Sequence, residues 1–288
     1  MAFRKLTDFI QEDVIVAMII DDLRAMNVTR NIVSYKTQSG LGKGSSYKIP
    51  GIVDFTVAQA DGTDLTYQDA ASTSIQILVD KYPFIPFYLE DSDITETNAL
   101  SLASEFSKRA AEQIGSDMDK DVLAVIFAGG TANATDLGAT TAPIALTSAE
   151  EIADYVEAFA AQLKEANADM DATITVPSFA GVKLSRYWSE SLSGASTEEI
   201  KRGFITNIYG IDVYSSNNAP TGVAGGLEAG EFAVIGGKRS AFTVVEGLTV
   251  VKSGDSETRG AAQWNQFGQV YGRGFSQPAA WYVGVVTK

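Results

Sequence analysis

The alternation of apolar and polar positions divides the chain into a ribbon-like front, a helical middle and a strand-rich end. Asp8 to Met26 holds at most one short amphipathic helix, and Asn31 to Ser46 is a polar stretch with Gly40, Gly42 and Gly44, expected to form an arm and a hinge. Ile49, Val53, Phe55 and Val57 share one face of a strand over Tyr47 to Val57, and Ile75, Ile77 and Val79 do so over Ser72 to Tyr82. Two such runs joined by a polar loop predict a β-hairpin whose arms reach roughly 35 Å. An isolated two-stranded ribbon is marginal in water, so this one needs a further surface to lie on.

Beyond Pro83 and Pro86 the period changes. Asp93-Ile94-Thr95-Glu96 has the pattern of a capping box, and Leu102, Phe106, Ala110, Ile114, Met118, Val122 and Ile126 follow at a spacing of four. This predicts a helix to Phe127, stopped by Gly129-Gly130. Four residues overshoot the 3.6 of a helical turn, so the stripe winds around the rod and meets several neighbours. Gly115 costs about 1 kcal/mol relative to alanine and marks a point where the rod can bend. Ser148-Ala149-Glu150-Glu151 opens a second helix, with Ile152, Tyr155, Val156, Phe159 and Leu163 on one face. A strand over Thr173 to Val176, a helix from Ser178 to Trp188 and a polar stretch from Ser189 to Gly203 come next. Strand-like runs then alternate with glycine: Ile211 to Tyr214, Phe232 to Ile235, Phe242 to Val245, Leu248 to Val251 and Trp281 to Val286. The plan is α+β with a central insertion.

Composition narrows the chemistry. At 288 residues, 45% hydrophobic and 20% charged, the chain is a packed protein of one or two domains. It has no Cys and no His, which removes thiol nucleophiles, Cys metal sites, Ser-His-Asp arrangements and imidazole ligation of zinc or haem. The net charge of −14 repels nucleic acid and anionic membranes. Val14 to Ile20 is too short to span a bilayer and is flanked by acids, so no membrane segment is expected, and the lack of Cys fits a cytoplasm.

Several motifs invite chemistry and fail on spacing. Gly40-Leu41-Gly42-Lys43-Gly44-Ser45 and Gly236-Gly237-Lys238-Arg239-Ser240 resemble phosphate loops, but Lys43 is followed by Gly44 and Lys238 by Arg239, where Ser or Thr is required. They read as hinges and turns. Asp117, Asp119 and Asp121 mimic the opening of a calcium loop, yet Val122 stands where glycine is needed and Ala128 where glutamate is, so a solvated helix face with Lys120 as partner is expected. A carboxylate pair such as Glu150 and Glu151 leaves a His-free hydrolase as a distant alternative. The chain is therefore expected not to be an enzyme, and no catalytic, cofactor-binding or metal residue is assigned. The pairs Lys108-Arg109, Lys201-Arg202 and Lys238-Arg239 are dispersed and suit ion pairing within or between subunits. Tyr67, Tyr82, Phe84, Phe87 and Tyr88 fit core packing and interface anchoring equally.

An arm, a long hairpin, then Phe87-Tyr88-Leu89-Glu90-Asp91-Ser92 before a long helix that closes Asp119-Lys120-Asp121-Val122-Leu123 and ends at Ala128-Gly129-Gly130 resembles the major capsid protein of tailed bacteriophages. Val176-Pro177-Ser178, Gly210-Ile211-Asp212-Val213-Tyr214-Ser215-Ser216-Asn217 before Pro220, and Phe232-Ala233-Val234-Ile235-Gly236 extend the resemblance over nearly the whole chain in the same order. It implies the Hong Kong-97-type capsid fold: an N-terminal arm (1–45), an extended loop (46–82), a peripheral domain (83–143) with a spine helix (93–127), an axial domain (144–231) and strands returning to the peripheral domain (232–288). It further implies hexamers and pentamers of an icosahedral shell that encloses double-stranded DNA without reading its sequence and expands from a procapsid.

A portal and a separate scaffolding protein are the implied partners, with room for a decoration protein. The place would be the virion capsid, assembled in the host cytoplasm. No Lys lies in the loop tip from Ala58 to Ala71, so the isopeptide weld of some members is not expected. Phe55, Tyr67, Ile75, Ile77, Val79, Lys108 and Arg109 are the candidate subunit-interface residues. On this reading Asp at positions 77 and 79 blocks assembly and leaves the subunit folded. An encapsulin-type compartment, enclosing a cargo enzyme in the same fold, is the alternative.

Overall fold

A computed structural model describes residues 27–50, 74–90, 99–133, 136–168, 171–189, 203–222, 226–247, 250–255 and 262–288. The elements run as a short helix α1 (Thr29–Ile32), strands β1 (Ser34–Thr37), β2 (Ser46–Pro50), β3 (Ser74–Leu78) and β4 (Phe84–Glu90), and a 31-residue helix α2 (Ala99–Gly129). Two short strands, β5 (Thr131–Ala132) and β6 (Ile144–Ala145), precede α3 (Ala149–Glu165), β7 (Ala172–Pro177), α4 (Ser178–Ser189), β8 (Phe204–Ile208) and β9 (Ile211–Ser216). The chain closes with β10 (Glu231–Lys238), β11 (Phe242–Glu246), β12 (Val250–Asp255), β13 (Ala262–Gly268), β14 (Tyr271–Phe275) and β15 (Trp281–Thr287).

The main sheet has the order β5-β15-β10-β7-β9-β8, with β6 also beside β15. Its inner strands β15, β10, β7 and β9 are largely buried on both faces, and period two sorts the side chains. Ala233 and Ile235 of β10 and Trp281, Val283 and Val285 of β15 face α2, where they meet Ile114, Met118, Val122 and Ile126. Val234 and Val286 point the other way, into a second core with Ile152, Val156, Phe159 and Leu163 of α3. Helix α2 is about 46 Å long at 1.5 Å per residue and stays helical through Gly115. Ala110, Ile114, Met118, Val122 and Ile126 of the expected stripe are buried and Phe106 packs on the same core. Ser148 caps α3 as anticipated: its hydroxyl accepts from the Glu151 amide while the Glu151 carboxylate accepts from the Ser148 amide.

Strands β10 and β15 are hydrogen-bonded into one sheet with β7, β9 and β8, and β11 to β14 lie outside it, in the sheets β1-β11-β14 and β12-β13-β4. One expectation needs correction. Gly236 and Gly237 form no loop; they lie inside β10, where a Cβ would sit 2.5 Å from the Phe159 ring and 2.5 Å from Trp281 respectively. These glycines admit large neighbours. The capping box at Asp93 to Glu96 and most of Ser189 to Gly203 lie outside the described residues. Among the described residues no helix is long and apolar enough to cross a membrane.

Candidate functional site

The hairpin root is where ribbon, long helix and return strands meet. Strands β2 and β3 pair antiparallel with Ser46 opposite Leu78 and Ile49 opposite Ile75. Beyond the pair, the Gly44 amide donates to the Val79 carbonyl at 2.7 Å and the Val79 amide to the Ser45 carbonyl at 2.9 Å. Tyr271 and Lys81 exchange both backbone bonds at 3.1 Å. Gly272 and Gly274 of β14 form the seat: a Cβ on Gly272 would lie 2.5 Å from the Leu78 carbonyl oxygen, and one on Gly274 would lie 3.2 Å from Ile77. Backbone rests on backbone here, which only glycine permits.

This seat corrects part of the expected interface. Ile77 and Val79 are 2% and 0% exposed within their own chain, so they are core residues of the subunit and not a face offered to a neighbour. Ile75 is half-buried, and the exposed side of β3 is Ser74, Gln76 and Leu78. Phe55 and Tyr67 lie outside the described residues. Lys108 and Arg109 are exposed on α2, far along the helix from the seat, and Arg109 pairs with Glu105 one turn back at 2.8 Å. Ile75, Ile77 and Val79 at the seat lie apart from Lys108 and Arg109 on α2, so the five described candidates form no single patch.

Sequence reasoning missed the charges around the seat. Arg273, between the two glycines, has a side chain only 12% exposed. Its Nη1 donates to Asp80 Oδ1 at 2.7 Å, its Nη2 to Asp121 Oδ1 at 2.8 Å, and its Nε lies against the other Asp121 oxygen. Asp121 also accepts from the Tyr271 hydroxyl at 3.0 Å and faces Lys81 at 3.4 Å. Burial pushes the Tyr271 phenol well above its ordinary range, and the Asp121 charge adds to the shift. A cleft of about 760 Å³ opens beside this cluster, between the root (Lys81, Tyr82), α2 (Asp117, Lys120) and the segment after β9 (Asn218, Pro220).

The second missed cluster joins the front of the chain to the same helix. Asp119 is buried, not solvated beside Lys120 as expected, and it caps α1 across the fold. Its carboxylate accepts from the amides of Val28 and Thr29, each at 3.1 Å, and from the Thr29 hydroxyl at 2.6 Å. The Asn27 amide, turned with its nitrogen toward the carboxylate, donates as well. Because the Thr29 proton is committed to Asp119, the Tyr35 hydroxyl donates to Thr29 Oγ1, at 2.7 Å. Burial raises the Asp119 carboxyl above its usual value, partly offset by these donors, and burial likewise raises Tyr35, with the Asp119 charge next.

One residue on, Arg30 pairs with buried Glu246 at 2.5 Å and lies over the Tyr35 ring. The sequence signal for this cluster was a carboxylate at a position flanked by the apolar stripe residues Met118 and Val122. Asp117, Asp119 and Asp121 therefore take separate directions, and among the described residues no group of three ligands could hold a metal ion.

These elements recur in solved structures along nearly their whole length. A structure from Mycobacterium phage Che8 is similar at a TM-score of 0.59 and 21% identity, covering 84% of this chain and 85% of that one. The capsid structure of cyanophage P-SCSP1u gives 0.60 and 14%, covering 91% and 87%. The fold is the Hong Kong-97-type phage capsid fold. A virus-like particle from Pyrococcus furiosus shares it at a TM-score of 0.55 and 15% identity, over 94% of this chain and 97% of that one. No family model matches the chain, and no curated protein matches it in sequence. Both polar clusters bind other parts of the chain to α2, Asp119 to the segment at Val28 and Thr29 and Asp121 to Arg273 of β14.

Proposed function

We propose that this protein is the building unit of a capsid shell: many copies self-assemble into hexamers and pentamers of an icosahedral container for double-stranded DNA, first as a procapsid that later expands. The observation that carries this reading is the likeness to phage capsid structures over more than four-fifths of both chains. Charge agrees with it. A wall built from subunits of net charge −14 holds DNA without adhesive Lys and Arg contacts, so no sequence-specific binding accompanies enclosure. The role is structural and non-enzymatic. A separate scaffolding protein and a portal are its expected partners, with room for a decoration protein, and the assembled virion is its place, reached from the host cytoplasm.

The test is expression of the full chain followed by gradient sedimentation and negative-stain microscopy. Closed hollow particles are expected, whereas a chain that stays monomeric or dimeric with or without a scaffolding protein overturns the proposal. A second reading, a compartment for protein cargo, is favoured by the match to the Pyrococcus furiosus virus-like particle. Nuclease-protected DNA inside particles isolated from the native source supports the first reading; a folded enzyme in place of DNA supports the second.

A further inference from the structure

Resting on the shell reading above, we propose that Arg273 is a positioning residue for assembly: it fixes the direction in which the ribbon leaves the subunit by clamping the ribbon root to α2. The guanidinium joins two elements distant in sequence, Asp80 just past β3 and Asp121 on α2, while its own backbone lies in β14 between the glycines that seat β3. The two arms part, one donating to Asp80 and the other to Asp121, with Nε in ion-pair contact with the second Asp121 oxygen. A lysine, with a single ammonium, cannot span both carboxylates in this way.

Seat and clamp act on different motions. The glycines and the core contacts of Ile77 and Val79 stop β3 from lifting off β14. They leave sliding and tilting along the strand to be resisted by polar contacts at its end, which are the Tyr271 and Lys81 backbone bonds and the Arg273 pair with Asp80. Over the roughly 35 Å reach expected from the sequence, a tilt of about 10° at the root moves the far end by about 6 Å. Hydrogen-bonded contacts tolerate only a few tenths of an ångström, so a small angular error at the root disengages whatever the tip touches.

Asp80 allows positioning to be separated from stability. Its side chain is 45% exposed, and an ion pair so exposed contributes at most about 1 kcal/mol to folding. Asp80→Asn therefore leaves the melting temperature of dissociated subunits almost unchanged while removing the charge that holds the ribbon end of the clamp. Two readouts follow.

In hydrogen exchange on dissociated subunits, D80N is expected to speed exchange of the Val79, Lys81 and Tyr271 amides by about threefold to fivefold, with the main-sheet amides unaffected. In assembly, D80N and R273K are expected to give broadened particle diameters and fewer closed shells than wild type, although R273K subunits remain folded. Unchanged exchange at those amides in D80N overturns the clamp, as do D80N and R273K particles of wild-type size and yield. A wild-type chain that forms no particles overturns the shell reading instead, and the exchange measurement still decides the clamp.

Discussion

Replacing Asp119 with Ala tests whether the segment from Asn27 to Ile32 is fastened to α2 by one buried carboxylate. The substitution strands the Val28 and Thr29 amides and redirects the Thr29 hydroxyl, all of which now donate to Asp119 in a site shielded from water. A buried donor left without a partner costs about 1 to 3 kcal/mol. Removing the carboxylate also relieves its own unfavourable burial, so the net loss is about 3 kcal/mol. For a chain of this size that is about 5 to 10 °C in melting temperature. Asp119→Asn keeps one acceptor oxygen and is expected to lose about half as much.

The pH dependence has a definite sign. A carboxyl whose folded pKa is raised binds its proton more tightly in the folded state, so the stability it contributes is greatest below the unfolded value, about 4, and falls as pH rises through the folded value. The advantage of wild type over D119N should thus shrink from pH 4 upward. Urea unfolding of dissociated subunits, followed by circular dichroism at fixed protein concentration, reads both effects. A D119A subunit that melts within about 1 °C of wild type, a shift too small for even one lost buried bond, refutes the cap.

Ile77→Asp places a charge in the 2%-exposed seat and should unfold or destabilise the isolated subunit by about 3 to 5 kcal/mol in a thermal melt, in contrast to the folded, assembly-blocked subunit expected from sequence. Gly272→Ala should cost several degrees by the same measurement, because the obstruction 2.5 Å away is a backbone carbonyl that cannot rotate aside. Tyr209 holds φ at +52° beside Gly210 in the turn between β8 and β9, where Asn-Gly is the favoured pair, so Tyr209→Asn should raise stability by about 0.5 kcal/mol despite losing the Lys164 contact over its ring. Ser148→Ala should cost about 1 kcal/mol through the lost cap of α3. Glu151 sits below its usual pKa through bonds to Ser148 and Thr147, so its contribution is present above the ordinary Glu range and fades as pH falls through the lowered folded value, a trend that a melt series of E151Q against wild type should show.

The helices were legible because their signals are local. A stripe at spacing four marked α2, and Ser148 to Glu151 marked the start of α3. The missed strands fail locally for identifiable reasons. β4 contains Pro86, which breaks the strand signal and is tolerated because β4 lies at the edge of its sheet beside β13. β14 reads Tyr-Gly-Arg-Gly-Phe, a turn-like string whose glycines exist for the approach of β3. β1 is Ser-Tyr-Lys-Thr, polar by composition and strand only because β11 lies alongside. The polar clusters were illegible for a related reason: Asp119 meets residues 90 positions away and Arg273 meets Asp121 across 152, and no spacing rule reaches that far.

The main sheet also sets an order of events during folding. β15 lies between β10 and the short strand β5, and β1 lies parallel to β11, so strands from opposite ends of the chain must find each other before either core is closed. Pairings of such sequence separation are entropically slow, on the order of milliseconds to seconds for small domains of comparable topology, and leave sticky strand edges bare while they wait. Until residue 287 has left the ribosome the sheet lacks its inner strand, and neither core can close. A chaperone that shelters the open edge should therefore raise the yield of folded chain.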